Sequence, residues 1–249
     1  MTEISASLRG IPLRHFKEID STNEEARRLA LGGVEGPLWI TADRQTKGRG
    51  RRGRDWQSPE GNLAATLLLR PATPIAQCAQ LSFVAALGVS EFVGRCAPRA
   101  EVKVKWPNDV LADEKKIAGI LLESASKDGA RPDWLAIGFG INLALHPADT
   151  EFPATSIAGL GEKPPAPRVA LDCLAASWSR WYEMWFERGF EPIRDAWLAR
   201  AARLGARIRA RIADMEAVGV FESIDADGAL ILRESNGRAR LISAGEVFF

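Results

Sequence analysis

Residues 45–62 read QTKGRGRRGRDWQSPEGN, and the rest of the chain is organised around this basic, glycine-rich stretch. Arginines at 49, 51, 52 and 54 alternate with glycines at 48, 50 and 53, and Trp56 closes the run. Glycine lets backbone N–H groups approach a ligand closely, and arginine offers a planar fork of donors that suits carboxylates and phosphates. The stretch therefore predicts an anion-binding loop. The plainer interpretation is a basic loop in solvent.

Two other interpretations of this loop involve nucleotides. Gly48, Gly50 and Gly53 match GxGxxG, which binds dinucleotides when it opens a helix and an acidic residue follows about 20 residues later. The residues after Gly53 form a poor helix, and no acidic residue lies between Glu60 and Glu91. Glycine–arginine stretches also bind nucleic acid. The dinucleotide interpretation is thus disfavoured. The nucleic-acid interpretation would be favoured only if the whole chain carried a large positive charge.

The composition indicates a globular protein with a local basic feature. The chain has 249 residues, 46% of them apolar, and a formal net charge of only +1, which argues against a general nucleic-acid binder. Its three cysteines form no CxxC pair, so we expect a cytoplasmic protein. We find no apolar signal core and no apolar run near the ~18 residues of a membrane span, and we expect no membrane association.

The apolar segments predict a sheet with glycines in it. We expect strands at 37–42, 63–69, 102–106, 115–123 and 134–143, with a helix over 76–95. Residues 63–69 are apolar throughout and predict a central strand, whereas 102–106 alternate and predict a strand with one solvent-exposed face. Glycine within a strand suggests a bulge or the close approach of another group. Gly119, Gly138 and Gly140 therefore suggest a flat ligand lying against the sheet.

Polar residues follow several of these elements. Ser21 with Glu24, or Thr22 with Glu25, fits a helix capping box, although the same groups could hold a polar ligand. The strand ending at residue 106 is followed by Pro-Asn-Asp, a sequence that is common in ordinary turns. The alternative is that the turn exposes the amide of Asn108 and the carboxylate of Asp109 at a functional site.

The C-terminal part of the chain predicts a second domain. Helical periodicity covers residues 168–203 and is interrupted near Gly189 and Pro192. After Gly205, short strands alternate with turn signals at 225–228 and 235–237, which predicts a small β-barrel. We therefore divide the chain into residues 1–203 and 204–249.

Five motifs together resemble the biotin–protein ligases. They are Ser21-Thr-Asn23, the run 45–56, Lys105-Trp-Pro-Asn-Asp109, Lys116-Ile-Ala-Gly119 and Gly138-Phe-Gly-Ile-Asn142. Residues 227–247 are similar to the C-terminal domain of that family. The resemblance implies an α+β fold, with a mixed sheet and helices like those of class II aminoacyl-tRNA synthetases, followed by an SH3-like barrel.

The resemblance also implies a two-step reaction. Biotin and ATP, with Mg²⁺, would form biotinyl-5′-AMP and pyrophosphate, and the adenylate would then biotinylate a lysine of a carrier domain such as that of acetyl-CoA carboxylase. Because a carboxylate must approach the α-phosphate, cations are needed to offset the repulsion. A mobile Gly/Arg loop can cover the adenylate and exclude water.

By the same resemblance, individual residues receive roles. The expected catalytic residues are Arg51, Lys116 and Asp109. Expected to bind biotin are Ser21, Thr22, Asn23, Gln45, Gly48, Arg49, Gly50, Arg51, Lys116, Gly119 and Gly138. Expected to bind ATP are Arg51, Arg54, Trp56, Asn108, Lys116 and Asn142. Asp109 is the carboxylate for Mg²⁺ or for orienting the acceptor lysine, and the sequence does not separate these two roles.

The family also contains members that repress transcription through an N-terminal winged helix. The first motif here begins at Ser21, so we expect a ligase that does not bind DNA. The sequence does not show whether the protein forms a homodimer. The alternative enzyme is a lipoate or octanoyl ligase of related fold, although the Ala-Val-Tyr-His segment typical of those families is absent. The alternative from another class is a nucleic-acid-binding module that uses the arginine loop.

Overall fold

The computed structural model describes residues 3–8, 10–148, 150–213 and 215–249, with side chains from residue 10 onward. Five α-helices lie in these ranges: α1 (Thr22–Leu31), α2 (Ile75–Cys78), α3 (Leu81–Cys96), α4 (Pro167–Arg188) and α5 (Glu191–Leu198). The helix expected over 76–95 is thus divided into α2 and the longer α3. The basic loop contains only a short 3-10 turn, Arg51–Gly53, which agrees with the absence of a dinucleotide-binding helix.

Eight strands form the main sheet in the order β1-β2-β3-β4-β8-β7-β6-β5. They are β1 (Glu3–Leu8), β2 (Ile11–Ile19), β3 (Leu38–Gln45), β4 (Leu63–Leu69), β5 (Val102–Lys105), β6 (Asp109–Ala112), β7 (Lys115–Ala125) and β8 (Trp134–Ile141). Among the described strands of this sheet, only β2 and β3 pair in parallel, so the sheet is mixed. The predicted strands are present, but β1, β2 and β6 are strands that the sequence interpretation did not predict.

The centre of this sheet is apolar on both faces. Strand β4 lies between β3 and β8 and is buried along nearly its whole length, as its continuous apolar sequence predicts. On one face, Leu67 packs in the main core with helices α3 and α4. On the other face, Leu68 packs with Ala26 and Ala30 of helix α1. The N-terminus of α1 is thereby fixed above the sheet.

Helix α3 is a core element. Among the described residues, the segment Ile75–Cys96 is the one helical stretch long and apolar enough to cross a membrane, contrary to the expectation that no such run exists. Two thirds of its most apolar window is buried within the protein, against α4 and the sheet. This burial is typical of the core helix of a globular protein.

The C-terminal strands form a second sheet in the order β12-β11-β10-β9-β13, antiparallel throughout. They are β9 (Arg207–Ile212), β10 (Met215–Ile224), β11 (Leu230–Arg233), β12 (Ala239–Ile242) and β13 (Glu246–Phe248). Trp197 of α5 joins this sheet to the first part of the chain, because its ring lies against both Phe83 and Phe221. The division of the chain at 203–204 stays a prediction.

Candidate functional site

One row of residues crosses four strands of the main sheet on the face that carries α1. Lys105 pairs with Asp109, Asp109 with Gly119, Gly119 with Gly140, and Gly140 with Ala64. Residues in register on neighbouring strands present their side chains to the same face. The row therefore has a floor of small residues at its centre, and a cation and a carboxylate at one end.

A polar cluster lies at the N-terminus of α1, beside this row. Ser21 caps the helix, as expected, by accepting a hydrogen bond from the Glu24 N–H at 3.4 Å. The Asn23 side chain donates to Glu123 at 2.8 Å and accepts from buried Thr66 at 2.7 Å. A Cβ on Gly138 would lie 2.3 Å from Asn23 Oδ1, so this glycine is required for the close approach of the amide.

Gln45 connects this cluster to the basic loop. Its Oε1 accepts from the Thr22 N–H at 2.8 Å, and its Nε2 donates to Ser58 at 2.8 Å. Arg49 pairs with Glu24 and Glu123, each at 3.1 Å. The end of the cavity expected to bind biotin is thus lined by side chains already held in place by one another.

Trp56 lies directly on the glycine floor. A Cβ on Gly140 would approach the indole to 2.4 Å, and one on Gly119 would approach it to 3.1 Å. These glycines therefore provide space for the indole of the chain itself, whereas the sequence interpretation assigned this space to a flat ligand. Gly140 was noted in the sequence only as a strand glycine, and the contact with Trp56 gives it a specific role in the site.

Hydrogen bonds connect the basic loop to the C-terminal sheet. Arg54 and Arg211 both hydrogen-bond to Glu246 of β13, and Arg51 donates to the Gly245 carbonyl at 3.2 Å. Burial raises the pKa of Glu246, but the hydrogen bonds from Arg211 and Arg54 outweigh it, so this pKa lies below its ordinary value. The C-terminal sheet therefore contributes to the wall of the site.

Lys116 and Asp109 form an ion pair inside the cavity. The Lys116 Nζ lies 2.7 Å from Asp109 Oδ1, an ion pair without a well-aligned hydrogen bond. The Lys116 backbone is fixed on both sides, since its N–H donates to the Pro153 carbonyl and its carbonyl accepts from Thr155. The ammonium is also 5.6 Å from the centre of the Trp56 ring. Asp109 thus holds Lys116 near the aromatic ring, which is a third role besides the two left open by the sequence.

Lys105 corrects the sequence interpretation of β5. The alternating pattern predicted a solvent-exposed face, but Lys105 is only 5% exposed because its side chain lines the cavity. Its Nζ lies 3.4 Å from the centre of the Phe152 ring. Burial lowers the pKa of Lys105 to about 8, with Asp109 acting in the opposite direction.

The cavity has a volume of about 370 Å³ and brings together residues far apart in the chain. All the predicted site residues but one line it, namely Ser21, Thr22, Asn23, Gln45, Arg49, Gly50, Arg51, Arg54, Trp56, Asn108, Asp109, Lys116, Gly119, Gly138 and Asn142. Gly48 does not line it. This glycine is buried beneath the loop, where a Cβ would lie 2.4 Å from the Trp56 carbonyl oxygen.

Several residues of the site were missed by the sequence interpretation. They are Thr66 and Glu123 behind Asn23, and Lys105, Trp106, Glu151, Phe152 and Glu246 in the cavity wall. The Lys105-Trp-Pro-Asn-Asp109 motif contained a signal for the first of the wall residues. Glu151 and Glu246 carry no local signal, because they reach the site only through the folding of a loop and of the second sheet.

The acidic residues of the cavity limit how a metal could be held. Among residues 10–148, 150–213 and 215–249, no group of three His, Cys, Asp or Glu side chains could coordinate a metal ion. Magnesium commonly uses one or two carboxylates together with substrate phosphates and water. Asp109 fits this mode as a single carboxylate, provided that Mg²⁺ arrives with a phosphate ligand and shares the carboxylate with Lys116.

The molecule thus combines a mixed sheet, a Gly/Arg loop over a polar cavity and a small antiparallel sheet, and comparison with known proteins shows that this is the arrangement of the biotin/lipoate ligases. Residues 15–142 match the biotin/lipoate A/B protein ligase family, and residues 204–249 match the biotin protein ligase C-terminal domain. The chain is 49% identical to a biotin–[acetyl-CoA-carboxylase] ligase of Paracoccus denitrificans, over 92% of this chain and 97% of the relative. It is 34% identical to the bifunctional ligase/repressor BirA of Bacillus subtilis, over 97% of this chain and 75% of that protein.

A solved structure agrees with these sequence matches. The biotin protein ligase of Aquifex aeolicus in complex with biotin and ATP superposes with a TM-score of 0.81 at 31% identity, covering 95% of this chain and 97% of that one. The chain therefore belongs to the biotin protein ligases, within the biotin/lipoate A/B protein ligase family. The fold class expected from the resemblance, including the SH3-like C-terminal domain, is confirmed.

Proposed function

We propose that this enzyme activates biotin with ATP as biotinyl-5′-AMP and transfers the biotinyl group to a lysine of a biotin carboxyl carrier domain of the acetyl-CoA carboxylase type. The observation that carries the proposal is a single cavity in which two different subsites meet at Lys116. One subsite is the polar cluster of Asn23, Thr22 and Gln45, and the other is the cationic region capped by Trp56.

In the first step, a biotin carboxylate oxygen attacks the α-phosphorus of ATP, and the bond to the β-phosphate breaks with release of pyrophosphate. Lys116 and Arg51 oppose the negative charge that the two reactants bring together. The ion pair with Asp109 fixes the Lys116 ammonium before the substrates bind, so little reorganisation is needed. Mg²⁺, bound by the phosphates and Asp109, would supply additional charge neutralisation.

Biotin binding is assigned to the polar end of the cavity. Ser21, Thr22, Asn23 and Gln45 offer donors and acceptors for the ureido ring, and Gly138 allows the Asn23 amide to lie close against the sheet at this end of the cavity. Gly119 also lines the cavity, beneath the Lys116 ammonium. Arg49 and Gly50 border this end from the loop. Gly48 acts indirectly, because it allows the two arms of the loop to pack together.

Nucleotide binding is assigned to the end that holds Trp56. Arg54, Asn108 and Asn142 line the cavity there, and the indole offers a surface on which adenine can stack. Asn108 and Asn142 already donate to the Ile120 and Thr155 carbonyls, at 2.6 and 3.0 Å. Their side chains are therefore held in fixed orientations.

In the second step, a neutral lysine amine of the carrier domain attacks the carbonyl carbon of biotinyl-5′-AMP. AMP leaves with the bonding electron pair, and the amine loses a proton. Asp109 is available to orient the incoming amine once the pyrophosphate has left. The Gly/Arg loop, fastened to Glu246, would protect the adenylate from water until then.

The partner proposed for this chain is a carrier domain, and we propose that the chain does not repress transcription. Strands β1 and β2 contain most of the described residues before Ser21. They belong to the catalytic sheet and so do not form a DNA-binding domain. The absence of a shift of biotin-operon DNA by the purified chain would support this, and a specific shift would contradict it. We also propose that the protein is cytoplasmic, which its three free cysteines support. That it forms a homodimer is a further proposal.

Biotin-dependent exchange of labelled pyrophosphate into ATP tests the proposed first step. We expect exchange with biotin and none without it. Lipoate is the informative competitor, because the family also contains lipoate ligases. Exchange that lipoate stimulates and biotin does not would contradict the proposal.

Replacement of Gly140 by alanine is expected to weaken ATP binding. The added Cβ would overlap the Trp56 indole and displace it from the glycine floor. Because stacking of a base on an aromatic ring is worth about 1–3 kcal/mol, the KM for ATP should rise about tenfold or more. Steady-state kinetics at saturating biotin measures this.

Gly94→Ala is the matched control for this substitution. Gly94 lies in helix α3, and nothing lies within 4 Å of a Cβ built there. We expect an unchanged KM for ATP in this variant. An equal KM in the Gly140→Ala variant would mean that Trp56 does not bind the nucleotide from this position.

A further inference from the structure

Lys105 is a buried cation that the proposed roles leave unused. It is 5% exposed and lines the cavity. Among the residues that the structure describes, no carboxylate lies within 4.0 Å of its ammonium, and its close contacts are the faces of Phe152 and Phe249, at 3.4 and 5.1 Å. A buried cation without a paired anion is costly. Its position facing a cavity indicates that an anionic ligand supplies the missing partner.

The register of the sheet indicates which anion this is. In the row of residues that crosses the sheet, Gly140 lies beneath the Trp56 indole and Gly119 lies beneath the Lys116 ammonium. Asp109 and Lys105 occupy the same row on the next two strands, β6 and β5. Three strand spacings of ~4.8 Å separate Gly140 from Lys105, about 14 Å in all. An anion that reaches Lys105 from a nucleotide stacked on Trp56 must therefore extend well beyond the α-phosphate expected at Lys116.

We propose that Lys105 binds the β- and γ-phosphates of ATP and holds the pyrophosphate as it leaves, an assignment that rests on the proposed adenylation of biotin. With Lys116 and Arg51, it forms a series of cations along the path of the triphosphate. Lys116 is engaged by Asp109 and Arg51 by the Gly245 carbonyl, whereas Lys105 offers its full charge to the ligand. Lys105 acts in adenylation and has no part in the transfer step.

The charged groups around Lys105 predict a pH dependence. Asp109, Glu246 and Glu151 raise the pKa of Lys105 and Lys116 lowers it, but burial has the largest effect and the pKa falls to about 8. The ammonium is therefore present at pH 7 and is lost as the pH rises above about 8. We expect kcat/KM for ATP to fall above this pH in the unmodified enzyme, because kcat/KM reports the free enzyme. In Lys105→Arg the charge persists, and the fall should shift to higher pH.

The decisive experiment compares Lys105→Met and Lys105→Arg with the unmodified enzyme. In Lys105→Met we expect kcat/KM for ATP in biotin-dependent exchange to fall about 10- to 100-fold, the usual effect of losing a contact with a charged group. Inhibition of biotinyl-5′-AMP formation by added pyrophosphate should weaken by a similar factor. The Lys105→Arg variant should recover most of the exchange activity. Transfer from preformed biotinyl-5′-AMP to a carrier domain should be unchanged, because that ligand lacks the β- and γ-phosphates.

Lys103→Met provides the matched control. Lys103 lies two residues earlier on β5, pairs with Glu101 at 3.4 Å and borders a separate, smaller cavity. We expect normal exchange from this variant. Lys105→Met with exchange within twofold of the unmodified enzyme would overturn the inference, as would an equal loss in transfer from the preformed adenylate. An unmodified enzyme without biotin-dependent exchange would overturn the proposed function itself, and this inference with it.

Discussion

Replacement of Lys116 by alanine should lower the rate of biotinyl-5′-AMP formation by a factor on the order of 10² to 10³, the usual effect of removing one preorganised group that stabilises transition-state charge. The Lys116 ammonium is held 2.7 Å from Asp109 and lies over Gly119, between the proposed biotin and nucleotide subsites. Its removal also leaves the Asp109 carboxylate unopposed, which repels the incoming phosphates. Single-turnover formation of the adenylate, measured by rapid quench, gives the rate directly.

The same substitution should leave the fold intact. The Lys116 side chain is 26% exposed, and the hydrogen bonds that hold this residue to Pro153 and Thr155 are made by its backbone, which the substitution retains. Lys115→Ala is the matched control, since Lys115 is the exposed neighbour on the same strand and does not line the cavity. We expect normal adenylation from that variant. A Lys116→Ala enzyme that is folded and adenylates biotin at a near-normal rate would exclude the proposed role of Lys116.

Replacement of Arg51 by alanine should release the adenylate about 10- to 100-fold faster, as expected for the loss of hydrogen bonds from a charged group. Arg51 lies between Asn108 and the Gly245 carbonyl, at 3.4 and 3.2 Å, and so connects the loop to both the main sheet and the C-terminal sheet. Burial lowers the pKa of its guanidinium, and Asp109 opposes the shift. Without Arg51 the loop loses its hydrogen bond to the Gly245 carbonyl, which connects it to the C-terminal sheet, and the cation expected to face the phosphate.

Release is measured by forming labelled biotinyl-5′-AMP on the enzyme and following its appearance in the protein-free filtrate. Lys47→Ala is the control, because Lys47 belongs to the same loop but is exposed and does not line the cavity. This control should retain the adenylate normally. Equal retention by Arg51→Ala and the unmodified enzyme would show that Arg51 does not close the site.

Much of the site could be predicted because its motifs are local. The Gly/Arg loop, the cap at Ser21 and the strand glycines are determined by neighbouring residues, and they lie around one cavity. Strand β4 was predicted with its bounds, because an unbroken apolar run buried on both faces leaves little freedom of interpretation. Strand β2 was missed because its sequence, IPLRHFKEI, mixes polar and apolar residues without a clear period. Strand β1, EISASL, alternates with period two, and this signal was overlooked.

The remaining features depend on long-range packing. The alternation of residues 102–106 predicts which residues share a face of β5, but it does not show that this face lines a cavity rather than solvent, so Lys105 was misassigned. Arg54 and Glu246 are 192 residues apart, and only the docking of the C-terminal sheet brings them together. Thr66 was missed because a single threonine in an apolar strand predicts only a tolerated polar residue, whereas it hydrogen-bonds to Asn23.

The central claim is that the enzyme joins biotin to a carrier lysine through an adenylate, and intact-protein mass spectrometry tests it most directly. A biotin carboxyl carrier domain, incubated with the enzyme, biotin, ATP and Mg²⁺, should gain the mass of one biotinyl group. It should gain nothing when ATP is omitted or when the acceptor lysine is replaced by arginine. A carrier domain whose mass stays unchanged with all components present, or which gains a lipoyl group in preference to a biotinyl group when lipoate is also supplied, would contradict the proposed function.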